Sequence, residues 1–169
     1  MIRPVTVIAL LTTMSWAQTG HCANRADDLV GQWYTEDNDS KVVITKENGK
    51  YVGKIVWLKE PLYGKDEKDT GKPKRDRLNP TKRLRTRPVI GIRVLKDFTF
   101  NAKSNRWENG TIYDPESGKT YKCVIMFEKD SKALNGRKLY VRGYIGIPAL
   151  GRTTYWNYVP KKDYEEVDG

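Results

Sequence analysis

The residues whose types and spacing suit binding chemistry are Trp33, Trp57, Tyr113, Tyr144 and Trp156, together with Arg142 and Arg152. A large aromatic side chain with a polar tip gives a pocket wall both apolar area and a directional hydrogen bond. Trp33, Trp57, Tyr113 and Trp156 fall in four separate runs of alternating or β-branched residues, and a closed sheet would bring them around one interior. There they either wall a ligand site or simply fill the space, as side chains do in small barrels. Arg142 and Arg152 lie inside apolar and aromatic strand contexts, Tyr140-Val141-Arg142-Gly143-Tyr144 and Gly151-Arg152-Thr153-Thr154-Tyr155-Trp156. An Arg there needs a carboxylate or phosphate partner if it faces inward, and only water if it faces outward.

A second kind of chemistry is electrostatic. Residues 65–87 hold ten Lys plus Arg against four Asp plus Glu, so most of the chain's formal net charge of +10 is local. Such a segment attracts anionic lipid head groups or polyanions, with Lys82, Arg83, Arg85 and Arg87 as the candidate contacts and the two last suited to bidentate phosphate binding. A merely solvated loop has the same composition, and Arg85 and Arg87 have a structural alternative, clamping the short helical turn onto the barrel. Nucleic acid is a poor partner for an exported protein, and no nucleic-acid module is present.

Catalysis finds little support. There is no Gly-x-Ser-x-Gly elbow, Walker loop or His-Glu-x-x-His, and Glu36 and Asp114 are not marked by spacing as an acid and base pair. One His, at position 21, and two Cys, at 22 and 123, exclude a multi-His metal site or a cysteine-held cluster. No catalytic residue, metal or cofactor is assigned, and the chain reads as a non-enzyme.

The N-terminus is an address. Arg3, an apolar run over residues 5–14 and the small-x-small Ser15-Trp16-Ala17 make a signal peptide of residues 1–17, implying export to the periplasm or beyond. A second cut, after Ala23, would also remove His21 and Cys22. If Cys22 is retained, it and Cys123 form an even pair in an oxidising compartment, where a disulfide is allowed. An acylated Cys22 is disfavoured because Thr19-Gly20-His21 puts an imidazole where a small residue belongs. No other segment approaches the roughly 20 apolar residues of a transmembrane helix.

These side chains need strands to position them. Eight runs are bounded by turn residues: 31–36, 41–46, 51–58, 89–96, 106–114, 120–129, 137–145 and 152–160. Asn48-Gly49 suits a tight hairpin, and Asp114-Pro115-Glu116-Ser117-Gly118, Asn135-Gly136 and Pro148-Ala149-Leu150-Gly151 supply the later turns. Short links imply antiparallel neighbours, so the predicted fold is all-β, an eight-stranded up-and-down antiparallel barrel, with a two-sheet sandwich as the alternative. One short helical turn is expected, capped by Asn79, started by Pro80 and stopped before Pro88. The folded domain spans 24–160, and 161–169 reads as a flexible acidic tail.

Asp28-Leu29-Val30-Gly31-Gln32-Trp33-Tyr34 resembles the opening of the first strand in lipocalins and other calycins. Five ordered blocks resemble more specifically a bacterial exported family catalogued as domain of unknown function 2147. They are Gly31 to Asp37, Gly53 to Leu58, Asn79-Pro80 with Arg85-x-Arg87-Pro88 and Gly91, Asn109 to Tyr121, and Val141 to Pro148 with Gly151-Arg152-Thr153-x-x-Trp156. The resemblance implies an exported calycin-like barrel without an assigned activity. In lipocalins the last strand ends with an Arg packed over the first-strand Trp. This chain ends that strand with Tyr158-Val159-Pro160, which makes Arg142 the expected substitute. Two functions follow as expectations: a small amphipathic or anionic ligand held in the barrel by Trp33, Trp57, Tyr113, Arg142, Tyr144, Arg152 and Trp156, or contact with anionic envelope lipids or polyanions through residues 65–87.

Overall fold

Burial alternates at Val42/Ile44, Cys123/Ile125 and Leu139/Val141 in the computed structural model, which describes residues 26–128, 137–161 and 163. The strands are β1 Gly31–Tyr34, β2 Ser40–Glu47, β3 Lys50–Leu58, β4 Arg93–Asn101, β5 Arg106–Asp114, β6 Lys119–Phe127, β7 Lys138–Tyr144 and β8 Arg152–Val159. Each pairs antiparallel with the next, and β8 returns to β1 through Trp33↔Tyr158, so the sheet closes as a barrel. Closure removes the sandwich alternative along with every exposed sheet edge.

Local chemistry explains most boundaries. Asn48 and Gly49 both take positive φ between β2 and β3, the geometry a two-residue hairpin requires. The stretch expected to be a strand over 89–96 is displaced: β4 starts at Arg93 and runs on to Asn101. Gly91 at φ 94° breaks the approach to β4, and Asp97 at φ 62° lets the strand continue through a local irregularity to Phe98 and Phe100. The predicted helical turn is a 3-10 turn at Lys82–Leu84, where Asn79 Oδ1 accepts the Thr81 N–H. Two further 3-10 turns, Ala26–Leu29 and Pro148–Leu150, were not expected. The signal peptide, His21, Cys22, the Asn135-Gly136 turn and nearly all of the acidic tail lie outside the described residues.

One end of the barrel is sealed. The turn at Ala26–Leu29 lies across it, and its carbonyls take both neighbouring indoles: Trp33 Nε1 donates to Leu29 O at 3.0 Å and Trp107 Nε1 to Ala26 O at 2.9 Å. Trp33 and Trp107 are both fully buried, and their rings pack edge-on or tilted against Phe127, Tyr158, Tyr51 and Phe100. The guanidinium over Trp33 belongs to Arg137, not to Arg142. Arg137 lies 5.7 Å from the Trp33 ring centre and 4.6 Å from that of Tyr158, and it donates to the Asp28 carbonyl. The reason is topological: β7 begins at the sealed end, so the residue just before it reaches Trp33, whereas Arg142 sits farther along the strand on the outward face.

Candidate functional site: an open barrel mouth

At the opposite end the β1–β2, β3–β4, β5–β6 and β7–β8 connections ring a cavity of about 1150 Å³. Its walls differ. Val42, Ile55 and Ile112 make an apolar side on β2, β3 and β5, while Tyr121, Gly143, Arg152, Thr154 and Trp156 from β6 to β8 make a side carrying polar groups. Trp156 is 4% exposed and sits deepest along β8, paired with Leu139. The inward column of β8 therefore descends from Arg152 through Thr154 to Trp156, because residues two apart share a face. Gly143 faces this space too, and a Cβ built on it would meet only ordinary contacts of 3.4 to 3.8 Å with Ile112 and Tyr121.

The expected ligand-binding residues divide. Arg152 and Trp156 line the cavity, and Tyr113 and Tyr144 border its mouth. Trp33 belongs to the sealed end instead. Trp57 is corrected to the outer surface: a bulge at Lys41/Val42 shifts the register so that Trp57 pairs with outward-facing Lys41. There its ring meets Tyr34 edge-on at 6.0 Å, and the Lys41 ammonium lies 4.9 Å and 5.3 Å from the two ring centres. Arg142 also faces outward and braces the β7–β8 loop, donating to Pro148 O at 2.6 Å, Ala149 O at 3.1 Å and Thr153 Oγ1 at 2.6 Å. Tyr121 and Thr154 were missed. The signal was present for Thr154, two residues from Trp156 on the same strand face.

Charges ring the mouth in both signs. Glu36, Asp37 and Asp39 come from the β1–β2 loop, Asp114 from the end of β5, Glu116 from the β5–β6 loop and Glu60 and Glu67 from the long β3–β4 insertion, against Lys59, Lys74, Arg75 and Arg77 of that insertion and Arg152. Arg152 lies 3.8 Å from Glu36, a long pair at a side chain 84% exposed.

The insertion is anchored by a buried carboxylate. Asp76, fully buried, accepts from Arg87 Nε at 2.9 Å and Nη2 at 2.7 Å, from Asn79 Nδ2 at 2.7 Å and from the Tyr113 hydroxyl. Burial, reinforced by the bond to Asp76, pushes the Tyr113 hydroxyl up to about 12. Arg85 Nε donates to Asn79 O at 2.7 Å. Arg85 and Arg87, expected as anion contacts, instead brace the insertion internally through Asn79 and Asp76, and it is Tyr113 of β5 that ties this pair to the barrel, because a buried carboxylate needs its donors. Lys82 and Arg83 remain exposed, with no ion pair to a described residue.

Cys123 is buried and has no disulfide partner among the described residues, and as a thiol it is raised to about 12 by desolvation, a poor nucleophile at neutral pH. Its proposed partner Cys22 lies outside the described residues. Among the described residues no group of three or more His, Cys, Asp or Glu is placed to hold a metal ion, and no helix is long and apolar enough to cross a membrane.

A closed eight-stranded antiparallel barrel, sealed at one end and hollow at the other, is a lipocalin-like fold. A solved structure described as "Protein HP1028 from the human pathogen Helicobacter pylori belongs to the lipocalin family" is similar to it, with TM-score 0.64 and 22% sequence identity over 83% of this chain and 88% of that one. Residues 31–158 match the family described as "Uncharacterized protein conserved in bacteria (DUF2147)", and the chain belongs to that family. No curated protein matches it.

Proposed function

We propose that the protein is an exported binding protein that takes a small amphipathic or anionic molecule into the barrel mouth. The observation that carries this reading is the contrast between a sealed, filled end and a cavity of about 1150 Å³ with an apolar side and charged groups only at its rim. That volume slightly exceeds the roughly 300–1,000 Å³ typical of small-molecule sites. The role is binding rather than chemistry, and export follows from the segment 1–17. Native mass spectrometry of protein isolated from its host's envelope tests both parts. A reproducible small-molecule adduct on a chain lacking Met1 is the expected result. An adduct-free chain that still begins at Met1 would refute both.

Exposed Lys82 and Arg83 favour a second, compatible reading in which the insertion touches anionic lipid. Binding to anionic vesicles would then weaken between low and physiological salt, as screening shortens to about 8 Å, and K82Q/R83Q would weaken it at low salt without changing the unfolding midpoint.

A further inference from the structure

The three buried or cavity-facing features of β8 do more than wall the site. Trp33 and Trp107 each give their indole N–H to a backbone carbonyl. Trp156, though only 4% exposed, gives its N–H to no described residue. Every fully enclosed side-chain nitrogen or oxygen among the described residues has a partner, so the unpartnered Trp156 N–H opens on the cavity it lines. Two residues nearer the mouth, the Thr154 hydroxyl is likewise unpartnered among the described residues, and two beyond that the Arg152 guanidinium has only its long pair with Glu36. Three donors therefore descend one strand of a cavity whose lining also includes the apolar side chains of Val42, Ile55 and Ile112.

The depth of that column fixes a length. Four residues of antiparallel strand separate Arg152 from Trp156, roughly 14 Å at about 3.4 Å per residue. In the free protein, water satisfies the Trp156 N–H. A ligand that lays hydrocarbon against it removes that water and returns no bond, whereas one that brings an oxygen acceptor replaces it.

We propose that the site selects a bipolar amphipath: an anionic group held at the mouth by Arg152, and a second oxygen acceptor, set about one medium-length alkyl chain away, taken by the Trp156 N–H at the floor. This rests on the reading of the cavity as a binding site and names the class of molecule it prefers. A ligand polar at one end only fills the same space but leaves the floor donor unpaired. Thr154 offers a further bond to an oxygen carried midway.

Titration calorimetry of the mature chain with laurate and with ω-hydroxylaurate tests the preference. The ω-hydroxy acid is expected to bind about three- to tenfold more tightly, the worth of roughly one net hydrogen bond. In Trp156→Phe the preference should vanish or reverse, because the ω-hydroxyl then loses water without gaining a bond, and in Arg152→Gln both should weaken by the same factor with the preference kept. Equal affinities in the unaltered protein, or a preference that survives Trp156→Phe, would overturn the proposal while leaving the binding site intact. Failure of both acids to bind would instead strike at the binding site itself. Should Trp156→Phe not fold, the indole ¹⁵N–¹H resonance of Trp156 decides: ω-hydroxylaurate should move it downfield of its position with laurate, and coincident positions would overturn the proposal.

Discussion

The two ends of this barrel are built from the same residue types and differ in how completely those residues are satisfied. At the sealed end Trp33 and Trp107 have their N–H groups bonded to the turn at Ala26–Leu29, and Arg137 lies over the Trp33 ring. The inward glycine there, Gly110, is filled by the Phe98 ring, which a Cβ would meet at 2.4 Å. At the open end the Trp156 N–H has no partner among the described residues, and a Cβ on inward Gly143 would meet only ordinary contacts of 3.4 to 3.8 Å. Aromatic residues in strands do not by themselves mark a site. Their unfilled volume and unpaired donors do, because a packed scaffold leaves neither.

The largest effect expected from that contrast is in stability. Trp107→Ala should cost about 3–5 kcal/mol, as for a fully buried large aromatic, and urea unfolding should show Trp156→Ala costing clearly less, since the Trp156 ring borders a cavity already. Equal losses would erase the distinction between the ends.

The insertion that borders the mouth comes next. Asp76→Ala removes the acceptor shared by Arg87, Asn79 and Tyr113. The loss should be about 2 kcal/mol, toward the lower side for a broken buried pair because the Arg87 side chain is 36% exposed. Arg83→Gln should leave the unfolding midpoint unchanged, and if it destabilised as much as Arg87→Gln, the division of the basic residues into clamp and free surface would fail.

The glycines sharpen the comparison with a smaller change. Gly110→Ala drives a Cβ into Phe98 and should cost about 1–3 kcal/mol, whereas Gly143→Ala should stay within about 0.5 kcal/mol of the parent while narrowing the cavity and weakening ligand binding. Comparable destabilisation by both would mean that the open end is packed as tightly as the sealed one.

The smallest effect is alkaline. Tyr113, raised to about 12 from an ordinary 10.0, holds its proton longer when folded. Its contribution is complete below pH 10 and is lost as pH rises from 10 toward 12. Unfolding midpoints followed across that window should fall less steeply for Tyr113→Phe than for the parent, and parallel slopes would remove Tyr113 from the insertion's anchor.

The barrel itself was legible in the sequence. Period-two alternation and turn chemistry such as Asn48-Gly49 specify strands and hairpins locally, and short links leave antiparallel closure as the simplest outcome. The site was legible only in part. Arg152 and Trp156 were found from residue type and context, an Arg among apolar and aromatic strand residues and a large aromatic in a strand. Trp57 was assigned inward because a bulge, which inverts the face of everything beyond it, has no composition signature at Ile55-Val56-Trp57. Arg85 and Arg87 looked like free cations because their partners, the Asn79 carbonyl and the Asp76 carboxylate, are buried by an insertion whose path depends on contacts with β5 rather than on local propensity. Arg137 escaped notice for a related reason: cation and ring meet only when the barrel closes.

The most direct test of the account is the set of indole ¹⁵N–¹H resonances followed during titration with laurate. Trp33 and Trp107, bonded to Leu29 and Ala26, should hold their positions while Trp156 shifts in a saturable manner. Movement of Trp33 or Trp107 with a stationary Trp156 would contradict it, placing the ligand at the end described here as scaffold.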